Sequence, residues 1–415
     1  MAAFHNLGYI LKKYNCGVID MANIYDYLKW RGDLSFEKDE FNEIDNLVLS
    51  ILTYIDFGGI VASVDDDESI LLKDAYDIYI KSKDISHLKD LPFLKDIPEF
   101  FKIAANTNRF GNISLSSYEN QLDDDLSKQF SATVFTLEED YYFIGFRGTD
   151  DNLAGWKEDL QMSFKDEVQS QKEAVLYLNK VLSKFNGEFI LGGHSKGGNL
   201  EIYATSNVNV DSADRIVEIY SNDGPGFQKE FLEKEGYLRI KDRIISIVPE
   251  SSVVGLLMEQ SVERQVVSSK GITIFQHNPF LWEVMGKSFI YKEGLTKESL
   301  GINSTINSWL GSLSNNEREN FVNSLFEVIQ GTGAKTLSEI NSEKLALADG
   351  LIKTFKNMGK ETQENLKNVM DLLFQEGNKT FRKIITDDIS NFLEKRRKNR
   401  REFINNLRAK KDKKE

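Results

Sequence analysis

Glu188-Phe189-Ile190-Leu191-Gly192-Gly193-His194-Ser195-Lys196-Gly197-Gly198-Asn199 reads as a short apolar strand, a tight turn and the opening of a helix. Within it, Gly193-His194-Ser195-Lys196-Gly197 fits the pattern G-x-S-x-G, which has a mechanical reason. A serine raised on a sharp strand-to-helix turn needs small residues two places to either side, because a Cβ there would strike the adjoining strand or helix. Gly193 and Gly197 supply that room. The helix that follows aims its free N–H groups and the positive end of its dipole at the space above the serine, where an oxyanion would be stabilised. Ser195 is therefore the candidate nucleophile, and the backbone N–H of Lys196 the first candidate oxyanion donor.

Upstream, Ser131–Leu137 and Tyr141–Phe146, separated by Glu138-Glu139-Asp140, predict a hairpin that feeds a central sheet, and 156–185 predicts a helical stretch. Downstream, strands are predicted at Ile216–Tyr220, Arg243–Val248 and Gln265–Val267, with Gly271–Phe275 completing a hairpin before His277. Strands that alternate with helices imply an α/β fold with a mostly parallel central sheet flanked by helices. Nearer the N-terminus, a Trp30-Arg31-Gly32-Asp33 turn precedes a helix with Ile44, Leu47, Val48 and Ile51 at helical spacing, read as a cap on the fold, and Asp65–Ile103 reads as short helices joined by turns. From about Thr296 the pattern becomes polar and helical. The expected division is residues 1–295, the α/β domain with its N-terminal cap, and 296–415, a helical C-terminal region ending in the basic stretch Glu394–Glu415.

The chemistry can be narrowed by counting. The chain has four histidines, His5, His87, His194 and His277. In the α/β-hydrolase fold the catalytic groups follow the order nucleophile, acid, histidine, and His277 alone lies after Ser195. His194, inside the elbow, is read as packing beside the site with its ring turned from the line of attack. For the acid, Asp223 in Ser221-Asn222-Asp223-Gly224 and Glu250 in Val248-Pro249-Glu250-Ser251 both follow strands. Both stay open, with strand order leaning to Glu250. Phe146-Arg147-Gly148-Thr149-Asp150 also follows a strand, and the hydroxyl or backbone N–H of Thr149 is the candidate second oxyanion donor.

The 415 residues carry a formal charge of −13, which argues against a general nucleic-acid partner. A hydrophobic share of 40% and five prolines describe a chain that can bury a core. Cys16 is the only cysteine, which excludes an intramolecular disulfide and a cysteine-built metal site. No signal peptide or membrane-spanning run is legible, so a cytoplasmic location is expected, although a leaderless secretion route would leave no mark. No His-pair metal motif and no G-x-G-x-x-G or phosphate-binding loop is present, so neither metal nor cofactor is expected. The basic tail is read either as a solvated helix end or as a contact with an anionic membrane or a protein partner. The oligomeric state is left open.

FRGTDDNLAGWKEDL (146–160) followed by GGHSKGGNLEIYA (192–204) resembles the class 3, fungal-type lipases, in which F-R-G-T and a downstream W-x-x-D precede a G-H-S-x-G elbow, over roughly Ser131 to His277. YLKWRGDLSFEKDEFNEIDNLVLS (27–50), SNDGPGF (221–227), VPESSVVG (248–255), QHNPFLW (276–282) and SLSNNERENFVNSLFEVIQGTGAKTL (312–337) look like the Mbeg-like bacterial proteins, a group of lipase-like hydrolases. The resemblance implies an α/β-hydrolase fold, Ser195 with His277, and a lipid or other acyl ester as substrate, cleaved through an acyl-enzyme. In place of the D-x-V-P aspartate of class 3 lipases this sequence offers VPESSVVG, and Lys196 stands where those lipases carry an apolar residue. A lysine there is expected either to favour anionic substrates at the edge of the site or to be solvated. The alternative to an ester hydrolase is a weak or inactive module that binds a partner or membrane through its C-terminal helices.

Overall fold

The strands Tyr141–Phe146 (β4) and Glu188–His194 (β5) are near-continuous apolar runs because both their faces are covered. In the computed structural model, which describes residues 21–331 except 85, 87, 89, 90, 92, 151 and 272, together with 336, 360, 363 and 364, they lie at the centre of an eight-stranded sheet. The remaining strands are Ile70–Leu71 (β1), Ser114–Asp123 (β2), Lys128–Glu138 (β3), Ile216–Asn222 (β6), Ile244–Pro249 (β7) and Arg264–Val267 (β8). Spatial order follows chain order from β1 to β8. The pairs up to β3–β4 are antiparallel, and those from β4–β5 to β7–β8 are parallel. The sheet is the mostly parallel, helix-flanked one of the α/β-hydrolase fold.

Side chains alternate between the two faces, as strand geometry requires. Phe143, Ile190, Tyr220 and Ile247 enter one core with the helices Ile24–Arg31 (α1), Glu43–Leu52 (α2), Leu72–Ser82 (α3) and Ile97–Ala105 (α4). Ile144, Phe146, Leu191 and Ile219 enter the other, with Gln169–Lys184 (α6) and Lys196–Asn207 (α7). A shorter helix, Leu153–Gln161 (α5), lies between β4 and α6 in the chain. The N-terminal helices, expected as a cap on the fold, form a layer on one face of the sheet.

Two local expectations change. β2 is an additional strand, paired with β3 across a break in register between Ser116 and Glu119. The segment before His277 is not a strand: Thr273–His277 is a 3₁₀ turn. Its chain is wound by Gln276, whose amide donates to the carbonyl of Gly271 at 2.9 Å and whose Oε1 accepts the N–H of Ser251 at 2.6 Å. The first bond satisfies a carbonyl within the segment, and the second ties the segment to the loop after β7.

The chain divides into one compact unit of Met1–Gly294 with Lys335–Ser342 and a second of Leu295–Ala334 with Glu343–Glu415. The described part of the second holds the helices Lys297–Gly311 (α8) and Asn315–Gln330 (α9). Ser314 caps α9 with a reciprocal bond to Glu317, and Trp309 meets Phe321 edge to face at 5.5 Å. The basic tail Glu394–Glu415, with His5, Cys16 and His87, lies outside the described residues. No helix among the described residues is long and apolar enough to cross a membrane.

Candidate active site

The carboxyl ends of β4, β5, β6 and β7 lead into the candidate residues Thr149, Ser195, Asp223 and Glu250, at the edge where ligands bind on open parallel sheets. Ser195 follows β5 directly, with φ 59° and ψ −131°. A non-glycine residue at such angles is strained, and the surroundings have to hold it there. They do so by close approach. A Cβ on Gly193 would stand 2.3 Å from the backbone of Gly197, and one on Gly197 2.1 Å from the Phe146 carbonyl. The Ser195 N–H continues the sheet by donating to Asn222 O at 3.0 Å. The Ser195 hydroxyl makes no hydrogen bond among the described residues.

Asp223 follows β6 in the left-handed region, with φ 51°. Its carboxylate is fully buried and accepts from His277 Nδ1 at 2.6 Å, from the Gly255 N–H at 3.1 Å and from the Ser252 hydroxyl. Three donors fix the direction of the group. With Nδ1 engaged, the Nε2 of His277 is the nitrogen left for proton transfer. The lean toward Glu250 is corrected by this geometry. Although Glu250 also follows its strand directly, the ion pair its carboxylate makes is with Lys292 Nζ at 3.8 Å, and the carboxylate on His277 Nδ1 is that of Asp223. Ser252 and Gly255, two and five residues further on, turn that same loop toward Asp223 instead.

Lys196 departs from both expectations for its side chain. It is 1% exposed, and its ammonium donates to the carbonyl of Gln129 at 3.0 Å and to Glu158 Oε2 at 3.1 Å. Glu158 is itself fully buried and also accepts the N–H groups of Gln129 and Ser170. The lysine is therefore a buried strut from the elbow to β3 and α5, neither solvated nor at the rim. Its backbone N–H and that of Thr149 make no hydrogen bond among the described residues.

The Thr149 hydroxyl donates to Asp159 Oδ2 at 2.7 Å. Burial pushes the Asp159 carboxyl up to about 6, against the opposing pull of Lys196, 3.8 Å away, and of Thr149. Gly148 lies so close to the elbow that a Cβ on it would stand 2.4 Å from His194 O and 3.1 Å from Ser195 Cβ. The R-G-T glycine is thus required by the approach of the Thr149 loop to the nucleophile.

Glu158, Ser252 and Tyr54 are the participants that the sequence reading missed. Glu158 did leave a signal, since a lysine in a tightly packed elbow demands a buried partner. Among the described residues no group of three or more His, Cys, Asp or Glu is placed to hold a metal ion.

Comparison with known proteins adds a family. The model of the Mbeg1-like family matches residues 104–327. A solved structure entitled "Crystal structure of M37 lipase" is 15% identical, with 51% of this chain and 68% of that chain covered and a TM-score of 0.31. No curated protein matches.

Proposed function

Because the chain belongs to the Mbeg1-like family, whose match takes in the elbow, Asp223 and His277 together, we propose that it is a serine hydrolase acting on carboxylic esters. The observation that carries the reading is the 2.6 Å bond from His277 Nδ1 to a buried aspartate, with the His277 ring 4.5 Å from that of His194, which directly precedes a serine strained onto a strand-to-helix turn. In this reading His277 Nε2 takes the proton of Ser195 as its Oγ attacks the acyl carbon. Asp223 holds the imidazole in the needed tautomer and stabilises the imidazolium that forms. The tetrahedral oxyanion is met by the backbone N–H groups of Lys196 and Thr149. The Thr149 hydroxyl is already spent on Asp159, which favours the amide over the hydroxyl as second donor. The imidazolium then protonates the leaving alcohol, and water releases the acyl group by the reverse path.

The test is labelling of the purified protein with a fluorophosphonate, alongside turnover of a short p-nitrophenyl ester. Labelling is expected in the wild type and absent from Ser195→Ala and His277→Ala. A folded wild type that neither labels nor turns over would sink the enzyme reading in favour of a binding module.

A further inference from the structure

His194, next to the nucleophile, is 2% exposed, and its ring lies 4.5 Å from that of His277 at an interplanar angle of 31°. Its Nε2 is 2.8 Å from the backbone carbonyl of His277, and its Nδ1 is 2.9 Å from the hydroxyl of Tyr54. A carbonyl only accepts, so Nε2 carries the hydrogen. A neutral imidazole has one N–H, so Nδ1 accepts from Tyr54. Burial, and next the neighbouring His277, hold the His194 pKa well below its ordinary value, in keeping with the neutral form. The chain of donors therefore runs one way, from Tyr54 through His194 to the backbone of His277.

That carbonyl needs such a partner. The segment around His277 is a 3₁₀ turn outside the eight-stranded sheet, and side chains hold two of its carbonyls. Trp282 Nε1 donates to the carbonyl of Gln276 at 2.8 Å, and His194 does the same for the next carbonyl. Tyr54 is anchored in turn. It stands just beyond α2, in the N-terminal layer, with its ring against Phe93 at 4.8 Å. Its oxygen also lies where a Cβ on Gly148 would come within 2.2 Å. One phenol thus touches the oxyanion loop, the elbow histidine and, through it, the His277 loop.

We propose that Tyr54 and His194 are positioning residues, which fix the backbone of His277 so that its imidazole is presented to Ser195. The inference rests on the hydrolase reading of Ser195 and His277. A displacement of about 1 Å at a reacting group can cost on the order of 100-fold in rate. His194→Leu, which frees the carbonyl, should therefore lower kcat about 100-fold with little change in KM. His194→Gln, which restores an N–H near the Nε2 position, should stand between the two. Tyr54→Phe keeps the ring packing, and should lower kcat roughly 10-fold at temperatures far below unfolding, again through displacement of the imidazole.

The second readout does not require activity. The full chain has only four histidines, so nitrogen-15 labelling of histidine resolves each ring, and His194→Gln assigns one of them. His194 is expected as the neutral Nε2–H tautomer near neutral pH in the wild type, and in Tyr54→Phe as the same tautomer, still fixed by the His277 carbonyl, with only its Nδ1 resonance shifted by loss of the phenol donor. A His194 that titrates near its ordinary value, or carries its proton on Nδ1, overturns the network. A wild type that labels at Ser195 while Tyr54→Phe and His194→Leu react at its rate overturns the positioning role. The expected tautomer without any Ser195 labelling would instead reject the hydrolase reading, and with it the catalytic purpose of the network.

Discussion

Between the two candidate acids the difference is one side chain's direction. Asp223 and Glu250 each come one residue after a strand, β6 and β7, so spacing alone gives them equal claims. Only the left-handed backbone at Asp223, which turns its carboxylate to His277, separates them. Asp223→Asn should leave the fold intact and lower kcat about 10⁴-fold, the loss expected when the histidine adopts the wrong tautomer. Glu250→Gln should leave kcat within about threefold, since its carboxylate faces Lys292 near the surface. Steady-state ester kinetics on both variants would reject Asp223 as the acid if the two losses were reversed. Ser195 and His277 are singled out as candidates by local pattern and by count, which need no knowledge of direction. The role of the Lys196 side chain was not legible, for it depends on Glu158, which lies 38 residues earlier. Lys196→Met strands a fully buried carboxylate with two backbone donors and no cation, and should destabilise the protein by about 3–5 kcal/mol. A urea midpoint equal to that of wild type would show that the pair makes no net contribution.

At the scale of elements, the strands buried on both faces and the helices with a regular apolar stripe were legible, and the exceptions have physical causes. β2 reads SLSSYENQLD, too polar to declare itself, and only its first half is buried beside β3. The run before His277 has the apolar alternation of a strand, yet Gln276 satisfies the backbone of a tighter turn. The nucleophile helix α7 holds a further surprise. It is buried from Lys196 to Ser206 and includes Glu201, whose two carboxylate oxygens have no hydrogen-bond partner. Burial raises the Glu201 pKa well above its ordinary 4.5. A raised folded-state pKa means that its contribution to stability is fully present below about 4.5 and is lost as pH climbs through the folded value. Glu201→Met should therefore stabilise the protein, by roughly 1–3 kcal/mol near pH 8 and by less at pH 5. Urea denaturation at the two pH values checks this, and a variant no more stable than wild type at pH 8 would contradict it.

The N-terminal layer binds the whole α/β unit together, although the family match begins only at residue 104. Leu115, Phe135, Phe143, Ile190, Tyr220, Ile247 and Val267 of the sheet share a core with residues of α1 to α4. Polar ties cross the same boundary. Arg109 pairs with Asp45 with both side chains fully buried, and Asn46 donates to Asn222, the neighbour of Asp223, at 2.9 Å. Tyr54 reaches His194 from the same layer. Uncovering those large apolar side chains at roughly 1.5–3 kcal/mol each sums to on the order of 10–20 kcal/mol, against a typical total stability of about 5–15 kcal/mol. The protein cut to residues 104–327 should thus fail to form a cooperatively folded unit, whereas a chain that keeps residues 21–103 as well should melt in a single sharp transition. Near-ultraviolet circular dichroism followed through heating decides between them. A sharp melt of the shorter chain would mean that the sheet carries its own core and that the N-terminal layer can be detached from it. Loss of the melt in the shorter chain alone would make the layer part of the fold on which the Ser195 site is built.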